Sequence, residues 1–198
     1  EGSGDEDVRA FVMAAVKHNG MKLRVANELF KKDHGIVLAA VRQNGYALRW
    51  ADDSLKNDHE IVLAAVRKHG QALDYASKTL KKDPDIVLAA VRQNGWALEH
   101  ASVLLKKDRD IVMAAVNQNG HALRYVDASL QNDPAIVLAA VTQNGQALEF
   151  ADDSLKKDRK IVMAAVNKNG HALRYVDASL QNDPAILLAA ATAVAAAI

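Results

Sequence analysis

The chain has 198 residues, half of them apolar and a quarter charged, a composition that suits a globular domain with a sizeable core. Its 25 Lys and Arg against 24 Asp and Glu leave a formal charge of +1, with 15 basic and 14 acidic residues before position 101 and ten of each after it. That balance counts against a nucleic-acid or anionic-membrane surface, and the absence of cysteine excludes disulfides, thiolate chemistry and Cys-type zinc sites.

The opening EGSGDED has neither the basic start nor the apolar stretch of a signal peptide, and residues 1–7 read as an N-terminal extension. From 8 to 190 the sequence reads as one helical repeat array. Gly20, Gly45, Gly70, Gly95, Gly120, Gly145 and Gly170 stand 25 apart, and Asp33, Asp58, Asp83, Asp108, Asp133, Asp158 and Asp183 keep the same interval. Units therefore start near 8, 33, 58, 83, 108, 133, 158 and 183, giving seven full copies and a partial eighth. The first has Val8 where the others have Asp, with Asp5 and Asp7 as expected substitute caps.

The copy from Asp83 to Lys107 shows the logic. Asp83 suits the N-cap, Pro84 the first helical position and Asp85 the positive end of the dipole. IVLAAV then predicts a helix of about 11 residues, buried on most sides. QNG closes it, with Gly95 expected in the left-handed conformation that ends many helices. A second, amphipathic helix is expected from Trp96 to Lys107, its apolar stripe visible as Ala47, Leu48, Ala51 and Leu55 in another copy. Short connections make neighbouring helices antiparallel and adjacent. Pairs this short bury their apolar faces only by stacking, so the expected fold class is all-α, an α-solenoid of tandem two-helix repeats.

The pattern DxxIVLAAVxQNGxALxYAxxxLKxD resembles a tandem helical-repeat family catalogued only as a domain of unknown function, with a VLAAVxQNGxAL core. The resemblance spans about Phe11 to Ala190. It implies a helical repeat array and carries no catalytic residues with it.

Positions that vary between copies are the candidates for a partner. Directly after each glycine stand Met21, Tyr46, Gln71, Trp96, His121, Gln146 and His171; four later stand Val25, Trp50, Tyr75, His100, Tyr125, Phe150 and Tyr175. On an α-helix these two rows share a face, so Tyr46/Trp50, Trp96/His100 and His121/Tyr125 form an aromatic ladder. It serves either as a binding groove or as packing between repeats. A basic row, Lys17, Arg42, Arg67 and Arg92, turns neutral at Asn117, Thr142 and Asn167. It either answers the helix dipole or marks a site for an acidic partner. The row Arg24, Arg49, Asp74, Glu99, Arg124, Glu149 and Arg174 alternates in sign and reads as a solvated face.

The seven histidines scatter over different repeat positions, so no metal site is expected. No phosphate loop, nucleophile elbow or His–Glu helix motif occurs. The expectation is a protein without enzymatic activity or cofactor that binds a protein partner. The alternatives are a structural subunit docked through its ends and a reader of single-stranded RNA, which the near-zero charge disfavours. The 191–198 tail is Ala-rich; AILLAAATAVAAAI is 14 residues long, short of the roughly 20 that span a bilayer. It is expected to extend or follow the last helix and to offer Val194 and Ile198 for docking, including self-association; the alternative is that it folds back and caps its own core.

Overall fold

Each repeat after the first opens on its aspartate, whose carboxylate meets amides that have no partner in the first helical turn. Asp33 Oδ1 accepts from Ile36 N at 2.9 Å, and Asp83 accepts from both Asp85 N and Ile86 N. In the computed structural model, which describes residues 2–197, the long helices are α1 (Gly2–His18), α2 (His34–Gln43), α3 (His59–Lys68), α4 (Pro84–Gln93), α5 (Arg109–Gln118), α6 (Pro134–Gln143), α7 (Arg159–Lys168) and α8 (Pro184–Ala195). Proline takes the first position of α4, α6 and α8, where its missing N–H leaves nothing unpaired. The chain is an all-α repeat solenoid, with no strand among the described residues. None of the described helices is long and apolar enough to cross a membrane.

The IVLAAV run is not buried all round. In α2, Ile36, Val37, Ala40 and Val41 are fully enclosed. Leu38 and Ala39 are half-buried and Arg42 is exposed. Each long helix thus keeps one outward strip, at the positions of Leu38, Ala39 and Arg42. Full burial of an Ile or Leu is worth about 1.5–3 kcal/mol, so these enclosed rows carry most of the stacking energy.

The second arm departs from the expected α-helix. Gly95–His100 is a 3-10 helix, the chain turns extended at Ala101, and a separate short 3-10 segment follows at Leu105–Lys107. Some copies replace that last segment with a single α-turn, as at Ala128–Gln131. The reason is where the backbone amides go. After the extended residue, the next N–H donates to the preceding repeat: Asp52 N to Lys31 O at 3.0 Å, Ser77 N to Lys56 O at 2.9 Å, Asp152 N to Gln131 O at 3.1 Å. A continuous helix would keep those amides for itself.

The glycines also act differently from the expectation. No glycine has positive φ among the described residues. Gly45 begins a 3-10 helix, and the carbonyl of Ala65 in the next repeat lies against it so closely that a Cβ would collide with backbone. Gly20 meets Ala40 O, Gly120 meets Ala140 O and Gly145 meets Ala165 O in the same way. The glycine ruler therefore marks contact between repeats, not helix termination by a left-handed residue.

The chain divides into two compact units, Glu1–Ser102 and Val103–Ile198. Within each, consecutive long helices lie side by side and 3-10 arms pack beneath them. The first helix begins at Gly2, so the supposed 1–7 extension is largely helical, and Asp5 and Asp7 lie inside α1 instead of capping it. At the other end α8 runs on to Ala195, where its counterparts stop two residues before the repeat glycine.

Candidate binding surface

The QNG phrase is consumed by stacking. Asn44 Oδ1 accepts from Tyr46 N at 3.0 Å and so caps the 3-10 arm of its own repeat. Gln43 reaches back instead: its Oε1 accepts from Gly20 N at 2.7 Å, as Gln143 does from Gly120 N at 2.6 Å. Three copies depart from the phrase, at His18, at Lys68-His69 and at Lys168, and the middle one compensates. Lys68-His69 replaces Gln-Asn, and His69 Nδ1 accepts from Gly45 N at 3.0 Å. Burial, followed by the nearby Lys68 charge, lowers the His69 pKa and favours the neutral ring that this bond requires.

The aromatic rows do not form the expected ladder. The arm that carries them is a 3-10 helix with three residues per turn, so residues four apart diverge. Tyr46, Trp50, Tyr75, Trp96, His100, His121 and Tyr125 are all half-buried. Tyr46 stacks on His69 of the next repeat, with centroids 4.6 Å apart and planes 11° apart. Trp50 lies under Arg24 of the preceding repeat and beside its own neighbour Arg49, at 5.6 and 5.1 Å. His121 meets Phe150 edge-on at 6.0 Å, and His100 Nδ1 lies 3.2 Å from Asp74 Oδ1. For Tyr46, Trp50, His100 and His121 these are contacts between repeats, the packing reading of the two open for the rows. The charged row is likewise engaged: Arg49 also covers Tyr75 at 5.9 Å, and Arg124 and Arg174 lie over Tyr125 and Tyr175, each at 6.0 Å.

A second set of inter-repeat contacts escaped the sequence reading. At the second position of five repeats an Arg or His faces the capping Asp of the next repeat: Arg9 Nε to Asp33 at 2.7 Å, His34 to Asp58 at 3.6 Å, His59 to Asp83 at 3.8 Å, and then Arg109 to Asp133 and Arg159 to Asp183. The hydrogen bonds from Arg9 and from Arg159 hold Asp33 and Asp183 below the usual carboxylate range. At Asp133 burial pushes upward, yet Arg109 and the helix amides prevail and the pKa falls. The signal in the sequence was an Arg or His 24 residues before an Asp, alternating later with Pro.

What stacking leaves free is the outward strip of the long helices. Between α2 and α3 a groove is lined by Arg42, Glu60, Leu63, Ala64, Arg67 and Lys68. Between α3 and α4 the equivalent groove has Leu63, Leu88 and Ala89 along it, with His59 and Asp85 toward one end and Arg67 and Arg92 toward the other. A third, on α1, runs from Glu6 and Arg9 over Ala10, Met13 and Ala14 to Lys17. Each has an apolar floor and a basic residue toward the helix end; one carboxylate, Glu60, Asp85 or Glu6, lies toward the other end, beside His59 in the second groove and Arg9 in the third. Arg42, Arg67 and Arg92 are all exposed. Arg42 is 3.4 Å from Glu60, whereas Arg67 and Arg92 form no ion pair among the described residues.

Among the described residues no three His, Asp or Glu side chains gather in a way that could hold a metal ion. At the C-terminal end Val194 is half-buried and closes over Gly170, in an open apolar groove with Leu173, Leu187 and Ala191. Ile198, the other docking candidate, lies outside the described residues.

The family described as "Domain of unknown function (DUF4116)" matches residues 9–56, 35–81, 58–106, 83–131, 108–156, 133–181 and 158–192. Those matches cover most of the chain, which therefore belongs to this tandem-repeat family. No curated protein and no solved structure matches it.

Proposed function

We propose that the chain is a non-enzymatic binding scaffold that presents the outward strips of its long helices to a protein partner. One observation carries this reading. The Gln, Asn and Gly of the repeat and the side chains of Tyr46, Trp50, His100 and His121 are engaged in contacts within and between repeats, while the strip at Leu63, Ala64 and Arg67 keeps an apolar floor and charged groups open to solvent. Apolar ground bordered by polar residues is the anatomy of a protein interface. The test is a photoreactive residue placed at Ala64 or Ala89, with a second variant carrying it at buried Ala47 as the control. Discrete crosslinks to other proteins from the strip positions, absent from the control, are expected. Crosslinks that are equally abundant from Ala47 would contradict the proposal.

A second reading, docking through the ends, has its own observation. Phe11 is 76% exposed, whereas Ile36 at the same repeat position is fully buried; Leu187 and Leu188 are 41% and 69% exposed. Large apolar side chains in solvent favour association. Solution mass measured across a range of concentrations tests the self-association form of this reading, and a mass that stays at one chain contradicts it.

A further inference from the structure

The basic rim of the first unit has a spacing as well as a sign. Lys17, Arg42, Arg67 and Arg92 occupy the same position in the last turns of α1, α2, α3 and α4, and all four are exposed. Neighbouring packed helices lie about 8–10 Å apart, so the four cations form a row with roughly that step. A peptide crossing the helix ends in a β conformation gains about 3.3 Å per residue, but its side chains alternate between faces, so every third residue points the wrong way in every second groove. A polyproline II peptide behaves differently. It has three residues per turn and rises about 3.1 Å per residue, so every third side chain returns to the same face after about 9.3 Å. Its period matches the step of the helix ends.

We propose that the basic rim of α1–α4 receives an extended acidic peptide in the polyproline II conformation, with Asp or Glu at every third residue. This rests on the scaffold reading above and names the chemistry of its partner. Each carboxylate of the peptide meets one cation, Arg42 exchanging its 3.4 Å contact with Glu60 for the peptide, and the residues between them lie on the apolar floor formed by Leu63, Ala64, Leu88 and Ala89. A peptide of this type has little conformational entropy left to lose on docking. Glu60 and Asp85 on the far rim set the lateral position, because a carboxylate placed there is repelled. The same carboxylates oppose a polyphosphate chain, which favours a peptide over RNA.

The experiment uses the full chain and a fluorescein-labelled peptide of four Glu-Pro-Pro triplets. Anisotropy titrations compare it with a peptide of equal composition whose glutamates are consecutive, and with polyuridylate. The triplet peptide is expected to bind about tenfold more tightly than the consecutive one, to lose about tenfold in the R67E/R92E variant, and to weaken as salt rises. Equal affinity for the two peptides, unchanged affinity in R67E/R92E, or preference for polyuridylate overturns the proposal. In a parallel arm, R67E/R92E also carries the photoreactive residue at Ala64. Loss of the crosslinks there supports the acidic partner. Crosslinks that survive the charge reversal reject this chemistry while leaving the scaffold reading standing.

Discussion

The two units share a stacking code and differ in how completely they follow it. In Glu1–Ser102 the amides of Gly20, Gly45 and Gly70 each find a side-chain acceptor in the next repeat: Gln43, His69 and Gln93. In Val103–Ile198 Gly120 finds Gln143, but the places facing Gly145 and Gly170 are held by Lys168 and Ala193, and neither amide has such a partner among the described residues. The second unit is instead pinned by Arg109 on Asp133 and Arg159 on Asp183, where the first relies partly on His34 and His59. The outward rims differ too, with Arg42, Arg67 and Arg92 in one unit and Asn117, Thr142 and Asn167 in the other. A repeat protein can thus vary its junctions and its surface independently, because different residues serve each.

Substitutions that act on the shared part of the code should not distinguish the units. Leu48 and Leu148 are both fully buried, and Leu48→Ala and Leu148→Ala should each cost about 2–5 kcal/mol. Denaturant unfolding followed by hydrogen exchange in each unit checks this, since repeat arrays need not unfold in one step. A cost confined to one unit would break the equivalence. Next in size, Gly45→Ala and Gly145→Ala drive a Cβ into the carbonyls of Ala65 and Ala165. Each should cost about 1–3 kcal/mol through overpacking.

The unshared part predicts differences. Lys168→Gln should give Gly145 N the acceptor that Gln43 gives Gly20, stabilising the second unit by about 0.5–1.5 kcal/mol. It should also slow exchange of the Gly145 amide, which in the unmodified chain should exchange faster than Gly45. No gain would mean that water already satisfies that amide. The smallest effect is pH dependence at His69. Its pKa is lowered in the folded chain by burial and by Lys68, so the unfolded chain binds more protons in the window below about 6.5. The stabilisation is fully present above that value and is lost as pH falls through the folded pKa. Exchange protection of Gly45 should therefore drop between neutral and mildly acidic pH while that of Gly120 holds. Replacing Lys68-His69 with Gln-Asn should remove the drop.

The repeat and the starts of its helices were legible because Asp caps, N-terminal proline and the apolar run all act within one turn of sequence. The second arm was not. Ala47, Leu48, Ala51 and Leu55 fit an α-helical stripe, and only the bond from Asp52 N to Lys31 O shows why the chain turns extended at Ala51. The interval of the glycines is legible in the sequence and its cause is not, since a collision with Ala65 O appears only once two repeats are stacked. The aromatic rows do not form a ladder because a 3-10 turn separates Tyr46 from Trp50, whereas Arg42, Arg67 and Arg92 close true α-helices, where the sequence pattern puts them.

Exchange of the two rims tests most directly the claim that junction and surface are separable. One variant carries Arg42→Asn, Arg67→Thr and Arg92→Asn; another carries Asn117→Arg, Thr142→Arg and Asn167→Arg. Affinity for the Glu-Pro-Pro peptide is measured beside the stability of each unit. The account predicts that the first variant loses peptide binding, that the second gains a further site, and that stability changes by no more than about 0.5 kcal/mol per exposed substitution. Undiminished peptide binding in the first variant, or a collapse of either unit in step with the change in binding, would contradict it.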